Sequence, residues 1–250
     1  MIEAIHIFKS FNNQPVLKDI NIQFEQGKTN LIIGQSGSGK TVLMKCIVGL
    51  FEVDKGKIFF NERCFSDMNF EQRKDIRQEM GMLFQGGALF DSMNVIENVM
   101  FPLSMFTNNT KEENRDRAQF CLKRVNLPNT DKLFPSELSG GMKKRVAIAR
   151  AISVNPRYLF CDEPNSGLDP ITSNVIDNLI REITQEYNIT TVINTHDMNS
   201  VIEIGDKIAF IHKGELWWEG SNVNVMNTDN TELNDFVYAT ELTKGLRKKK

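Results

Sequence analysis

Apolar and polar residues alternate at the start of the chain. Glu3-Ala4-Ile5-His6-Ile7-Phe8-Lys9 has a rough period of two, as has Leu17-Lys18-Asp19-Ile20-Asn21-Ile22-Gln23-Phe24. This spacing predicts two half-buried antiparallel strands, with Asn12-Asn13-Gln14-Pro15 as the turn between them. The pattern then changes. Leu31-Ile32-Ile33 is a short apolar run that enters a glycine-rich loop, followed by a helical stretch over about Lys40 to Leu50. Two further runs, Tyr158 to Asp162 and Thr190 to Thr195, have the composition of buried strands. Between them, Val175, Ile176, Leu179, Ile180 and Ile183 form a helical stripe within Thr172–Tyr187. Strand, helix and strand in this order predict a parallel sheet in an α/β fold. Lys207–His212 and Glu215–Glu219 flank Lys213-Gly214, which is a hairpin signal. From about Asn94 to Val154 the pattern is helical, so a helical subdomain inserted into the α/β core is expected.

Composition narrows the class. Of 250 residues, 40% are apolar and 25% charged, as in ordinary globular proteins and unlike disordered ones. The 30 basic and 32 acidic residues nearly cancel, to a net charge of -2, which gives no electrostatic case for a nucleic-acid partner. The apolar stretches are too short to span a bilayer. Met1-Ile2-Glu3-Ala4 reads as no secretory signal. Cys46, Cys64, Cys121 and Cys161 lack metal-site spacing and read as reduced, packed thiols of a cytoplasmic protein. The basic end, Lys244 to Lys250, reads as a solvated terminus or as a weak attraction for anionic lipid.

Candidate chemistry sits where the pattern turns. Gly34-Gln35-Ser36-Gly37-Ser38-Gly39-Lys40-Thr41 fits GxxxxGK[ST] between a strand and a helix. Glycines let successive N–H groups converge on phosphate oxygens, and the helix start adds partial positive charge. Lys40 would reach the β- and γ-phosphates, and the Thr41 hydroxyl would ligate Mg²⁺. Asp162 closes an apolar strand, where parallel sheets hold their ligands, so it is a candidate for Mg²⁺. Glu163 follows at once and would orient and deprotonate an attacking water. Ser139 reads as the N-cap of a helix running to about Ile152. Lys143, Lys144 and Arg145 crowd its first turns, either as a basic solvated face or because that helix start meets an anion.

The order of motifs is specific. The phosphate loop is followed by Gln85, Leu138-Ser139-Gly140-Gly141-Met142, Asp162-Glu163-Pro164, Ser166-Gly167-Leu168-Asp169 and His196-Asp197. This set resembles the nucleotide-binding subunit of ABC transporters over nearly the whole chain. The resemblance implies a P-loop NTPase core with mixed or parallel sheet, N-terminal antiparallel strands and an inserted helical subdomain. It places the core at residues 1–85 and 155–228, the subdomain at 86–154 and a tail at 229–250. It implies an ATPase that works as a homodimer with two ATP molecules sandwiched between copies. Gly34, Ser36, Gly37, Ser38, Gly39, Lys40, Thr41 and Val42 would hold phosphate, and Phe11 would stack on adenine. Ser139, Gly140 and Gly141 would close over the γ-phosphate bound by the other copy. Gln85 would contact Mg²⁺ or the attacking water, Glu163 would be the general base, Asp169 would cross the dimer interface, and His196 would hold the γ-phosphate.

Three positions depart from the family pattern. Phe11 stands where Tyr is common, Val42 where a second hydroxyl is common, and Met142 where Gln is usual. Met142, with Phe84 to Val95, Pro135-Ser136-Glu137 and Pro170-Ile171-Thr172-Ser173, is similar to the ATPase of bacterial lipid transporters that work with MCE-domain proteins. That implies a separate membrane permease, an MCE-domain substrate-binding protein and a place on the cytoplasmic face of the inner membrane. Leu89, Phe90 and Met93 would suit docking of the permease if exposed, and would otherwise pack in the subdomain's own core. An ABC ATPase for another substrate, or a non-transport regulatory one, are the alternatives.

Overall fold

The computed structural model describes residues 1–238; the basic end of the chain lies outside the described residues. Along the chain run β1 (Ile2–Phe11), β2 (Gln14–Phe24), β3 (Thr29–Ile33), α1 (Lys40–Ile47), β4 (Lys55–Phe60), β5 (Arg63–Cys64), α2 (Phe70–Gln78) and β6 (Met80–Leu83). Next come α3 (Val95–Phe106), α4 (Lys111–Arg124), α5 (Gly140–Ile152), β7 (Tyr158–Asp162), α6 (Pro170–Glu186) and β8 (Thr190–Asn194). The last elements are α7 (Met198–Ile204), β9 (Lys207–His212), β10 (Glu215–Gly220), α8 (Asn222–Val225) and α9 (Thr231–Val237). They form two compact units, one of residues 1–67 with 194 onward, the other of 68–193.

In the first unit, β2, β1, β4 and β5 lie side by side in that order. β1 pairs antiparallel with both β2 and β4. The hairpin turn is tighter than the four-residue expectation: only Asn12 and Asn13 separate the strands, with φ of 49° and 63°. Two successive positive φ values match the twist of the strands, and Asn tolerates them. The later hairpin turns the same way at Lys213 and Gly214, φ 51° and 83°. There β9 pairs antiparallel with β10 and parallel with β3, so the sheet is mixed. All five residues of β3 are buried. α1 stops at Ile47, short of the expected Leu50. Gly49 turns left-handed at φ 73°, its N–H donates to the Cys46 carbonyl at 3.1 Å, and the Leu50 N–H donates to Lys45 at 2.8 Å. This paired closure of the last carbonyls ends the helix.

In the second unit, β8, β7 and β6 are neighbours in that order, and β6 runs parallel to β7 with Leu83 opposite Cys161. β7 is buried throughout. α3, α4 and α5 pack on one another, and α5 also packs on β6 and α6. α3 and α4 each start with a capping box, Asn94 with Glu97 and Thr110 with Glu113. The strands β4 and β6 and helix α2 have no clear alternation or stripe in the sequence, and the reading above missed them. Among the described residues no helix is long and apolar enough to cross a membrane.

Candidate functional site

In the first unit, β3 delivers the chain into a loop that is shaped for an oxyanion. A Cβ on Gly34 would lie 2.2 Å from the Ile211 carbonyl oxygen, and one on Gly39 would lie 2.9 Å from Leu17 Cδ2. Only glycine allows the loop to sit this close to β9 and β2. Gly37 is open to solvent but needs φ +80°. Gly39 is also the N-cap of α1, at φ 108°, and offers no side-chain cap to the first N–H groups. A helix start without a side-chain cap is a ready place for an anion. The Ser38 Oγ is buried and has no hydrogen-bond partner, although the Ser38 main chain is fixed by Gln35 and Gly214 at 3.2 and 3.1 Å. An orphaned hydroxyl beside an uncapped helix start fits a phosphate group. Lys40 is buried, and its Nζ donates to the carbonyls of Gly34 at 2.7 Å and Gln35 at 3.0 Å. It lies folded over the loop. Gln35, Ser36, Gly37 and Thr41 are exposed, and Val42 is half-buried.

His196 belongs to the same unit. The Thr195 N–H donates to the Ile32 carbonyl at 3.1 Å, which sets exposed His196 beside the end of the strand that feeds the loop. Asp197 caps α7 through the Asn199 N–H at 2.9 Å. Phe11 ends β1 with its ring edge-on to Phe51 at 5.2 Å and Lys9 Nζ over it at 5.3 Å. It remains 38% exposed, enough for a planar ligand to stack.

In the second unit, the parallel pairing of β6 and β7 brings Gln85, Asp162 and Glu163 to one carboxyl edge. Asp162 is buried at the strand end. Glu163 is half-buried with φ 50°, a left-handed conformation that a side chain holds only where its surroundings impose it. Gln85 is exposed. One residue joins them. Lys144 Nζ donates to the Gln85 carbonyl and, at 3.4 Å, to the Glu163 carbonyl. Lys144 is only 5% exposed. Burial holds its ammonium below the usual lysine range, with Cys161, Glu163 and Asp162 opposing that shift. This corrects the expectation of a solvated basic face at Lys144. The helical spacing Lys144, Ala147, Ile148, Ala151 carries the signal that could have placed it inside.

Arg150, also unsuspected, donates to the carbonyls of Gly87 and Ala88, each at 2.7 Å. Buried Asn98 fastens the next stretch. Its amide donates to the carbonyls of Phe90, Met93 and Asn94 and accepts from the Phe90 N–H, at 2.8 to 3.1 Å. Phe90 packs on Phe101 at 4.7 Å and stays exposed, whereas Leu89 and Met93 are half-buried.

Ser139 caps α5 as expected, accepting from the Met142 N–H at 3.3 Å, and is exposed together with Gly140. A Cβ on Gly141 would stand 2.6 Å from Thr172 Cγ2, so close packing against α6 already requires glycine there. Asp169 caps α6, accepting from Ile171 N at 3.1 Å, Thr172 N at 3.0 Å and the Thr172 hydroxyl at 2.5 Å. The Thr172 hydroxyl, then the Thr172 amide, hold its carboxyl below the usual aspartate range. Among the described residues, no three His, Cys, Asp or Glu cluster as a metal site. Thr41 in the first unit offers a hydroxyl, and in the second unit Gln85 offers an amide and Asp162 a carboxylate, each a hard oxygen donor of the kind that suits Mg²⁺.

The sequence model of ABC transporters matches residues 17–166, which carry the phosphate loop, Gln85, the Leu138–Met142 motif and the Asp162-Glu163 pair. The chain belongs to the ABC transporter family, as an ATP-binding subunit. A methionine import ATP-binding protein, MetN, of Clostridium tetani is 37% identical over 97% of this chain and 76% of its own length. A Mycobacterium leprae protein named "Probable ribonucleotide transport ATP-binding protein mkl" is 33% identical over 94% of this chain and 68% of its own. The ATP-binding cassette MJ0796, solved as a dimer in a post-hydrolysis state with ADP and Pi, is 30% identical with a TM-score of 0.81, covering 89% of this chain and 99% of that one. CbiO1 of Clostridium perfringens, part of a cbiONQ transporter complex, is 27% identical with a TM-score of 0.84, covering 100% and 98%. The fold expected from sequence is thereby the fold observed, and this ABC ATPase hydrolyses ATP.

Proposed function

We propose that this ABC ATPase powers a separate membrane permease as a homodimer that sandwiches two ATP molecules, at the cytoplasmic face of the inner membrane. The observation that carries the reading is the uncapped start of α1 with the unpartnered Ser38 hydroxyl beside it. On this reading the amides of residues 34–42 and the Lys40 ammonium hold the phosphates, and Phe11 stacks on adenine. Thr41, Gln85 and Asp162 hold Mg²⁺, which when bound neutralises charge on the β- and γ-phosphate oxygens. Glu163 takes the proton of the attacking water, and His196 and Gln85 orient the γ-phosphate and that water. Ser139, Gly140 and Gly141 close over the γ-phosphate held by the other copy, with Asp169 at the same interface. The γ-phosphate then favours the closed dimer because it touches both copies, and its loss reopens it.

For the cargo we propose a phospholipid or related lipid, delivered with an MCE-domain partner. The support is Met142 in its motif context and the sequence around Gln85. A second reading, an amino acid such as methionine, is favoured by the likeness to the methionine import ATP-binding protein of Clostridium tetani. Purifying the native complex from membranes and identifying its subunits and bound lipids tests the choice. Recovery of an MCE-domain protein with lipid supports the first reading, and recovery of a permease without either refutes it. Glu163→Gln tests the chemistry: it is expected to bind ATP and accumulate as a dimer while turnover nearly stops.

A further inference from the structure

Helix α5 directs two buried cations at one stretch of chain. Lys144 holds the carbonyls of Gln85 and Glu163. Less than two turns on, Arg150 holds those of Gly87 and Ala88. Two of these four acceptors belong to non-glycine residues in the left-handed region, Glu163 at φ 50° and Ala88 at φ 46°. Such a conformation persists only where neighbours over-determine it. At Ala88 the carbonyl is gripped by Arg150, and at Glu163 by Lys144 together with the Ser166 N–H at 3.2 Å. Lys144 is the arm that touches both sides. Its two acceptors are main-chain oxygens of different segments, one leading into the mostly exposed stretch Gln85–Phe90 and one within the turn that carries the Glu163 carboxylate.

We propose that Lys144 is a positioning residue that makes the Gln85 segment and the Glu163 turn a single mechanical piece, so that a partner pressing on Gln85–Phe90 sets the aim of the Glu163 carboxylate. The inference rests on the assignment of Glu163 as general base made above. The physical link is the shared ammonium. A buried cation needs both carbonyls to offset its lost hydration. If the Gln85 segment swings away, the ammonium must follow it or turn wholly to Glu163, and either move changes one of the two holds, Lys144 and the Ser166 N–H, on the Glu163 carbonyl. Arg150 keeps Gly87 and Ala88 attached to the same helix, so a push on the exposed stretch reaches α5 rather than being absorbed locally.

The test uses the full chain with Mg·ATP, comparing the parent, Lys144→Met, Lys144→Gln and Glu163→Gln in turnover and in equilibrium ATP binding. Met has a similar length but no donor. Gln keeps two N–H donors on a shorter arm. Loss of a supporting contact behind a reacting group typically costs roughly tenfold to a hundredfold. Lys144→Met is therefore expected to lose kcat on that scale while its affinity for ATP stays within about twofold of the parent's, a loss confined to the chemical step. Lys144→Gln is expected to fall between the two. Parental kcat in Lys144→Met overturns the proposal, as does a loss of ATP affinity as large as the loss of kcat, which would mark Lys144 as general packing. If the Met variant does not fold, Lys144→Gln decides alone: parental kcat overturns the proposal, and a lowered kcat with unchanged affinity supports it. Glu163→Gln separates the two levels, because parental turnover in that variant refutes the underlying base assignment whatever Lys144 does.

Discussion

Adding one methyl group at Gly141 probes why that residue is glycine. An alanine Cβ there would stand 2.6 Å from Thr172 Cγ2, about an ångström inside ordinary carbon contact. Thr172 cannot simply rotate away, because its hydroxyl is engaged with Asp169 at 2.5 Å and its branched Cβ restricts χ1. Over-packing of this kind costs about 1–3 kcal/mol. Alanine in place of glycine inside a helix returns about 1 kcal/mol, so a net loss of roughly 0–2 kcal/mol is expected. At about 2–4 °C per kcal/mol for a protein of this size, Tm should fall by up to roughly 8 °C. Thr172→Ser removes the clashing methyl and keeps the hydroxyl that caps with Asp169. In that background Gly141→Ala should become neutral or stabilising. The assay is a double-mutant cycle by thermal and denaturant unfolding, with an expected coupling of about 1–3 kcal/mol. Coupling within about 0.3 kcal/mol of zero would refute the packing argument. ATP turnover adds a second readout. A double variant that regains stability but not turnover shows that Gly141 serves more than packing, as the proposed contact with the other copy's nucleotide requires.

Lys40→Ala should weaken ATP binding strongly; unchanged affinity in a nucleotide titration would count against the phosphate-loop assignment. Ser38→Ala should leave stability unchanged or slightly raised, since a buried unpartnered hydroxyl is lost, while ATP affinity falls; a fall in stability with unchanged affinity would contradict that reading. Asp169 is an acid-limb probe. Its carboxyl lies below the ordinary aspartate value of 3.8 in the folded chain, so its contribution is full above that pH and is lost as pH falls through the depressed value. Asp169→Asn should therefore flatten the acid limb of a stability–pH curve, and an unchanged limb would exclude the cap as its source. Thiol chemistry gives a further check. Burial pushes Cys46 up to about 12 and Cys121 up to about 11, and raises Cys161 as well. Alkylation of the native protein at neutral pH should therefore go to half-buried Cys64, as mass spectrometry of the labelled peptides would show.

Local sequence carried the features whose physics is local. The glycine spacing of residues 34–39, the apolar run before it, the Ser139 cap and the Asn-Asn and Lys-Gly hairpin turns each depend on a few adjacent residues, and each was legible. Features that depend on residues far apart were not. Nothing near Lys144 announces that Gln85 and Glu163 will bring carbonyls to its ammonium. Charge alone suggested solvent, although its helical phase with Ala147 and Ile148 pointed inward. Asp169 was read for a role between copies, and its capping of α6 went unnoticed, although the Asp-Pro-Ile-Thr sequence is a ready N-terminal signal. β4 was obscured by Lys55 and Lys57 at its start, and β6 by its length of four residues. The cargo is illegible for another reason: on the proposed assignment a separate permease handles the transported molecule, and the ATPase subunit would carry its identity only through docking contacts.

The uncapped start of α1 also bears on how the folded state responds to the cell. A helix end is commonly closed by a side chain, and here no side chain does so. On the proposed assignment, the native protein binds ATP and the unfolded chain does not, so nucleotide becomes a term in the folding equilibrium. At a hundredfold excess over Kd it would add about 2.7 kcal/mol, more than any single cap supplies. The subunit would then be sturdiest when energy is plentiful, and its unfolded fraction, the form that proteases take, would rise as ATP is depleted.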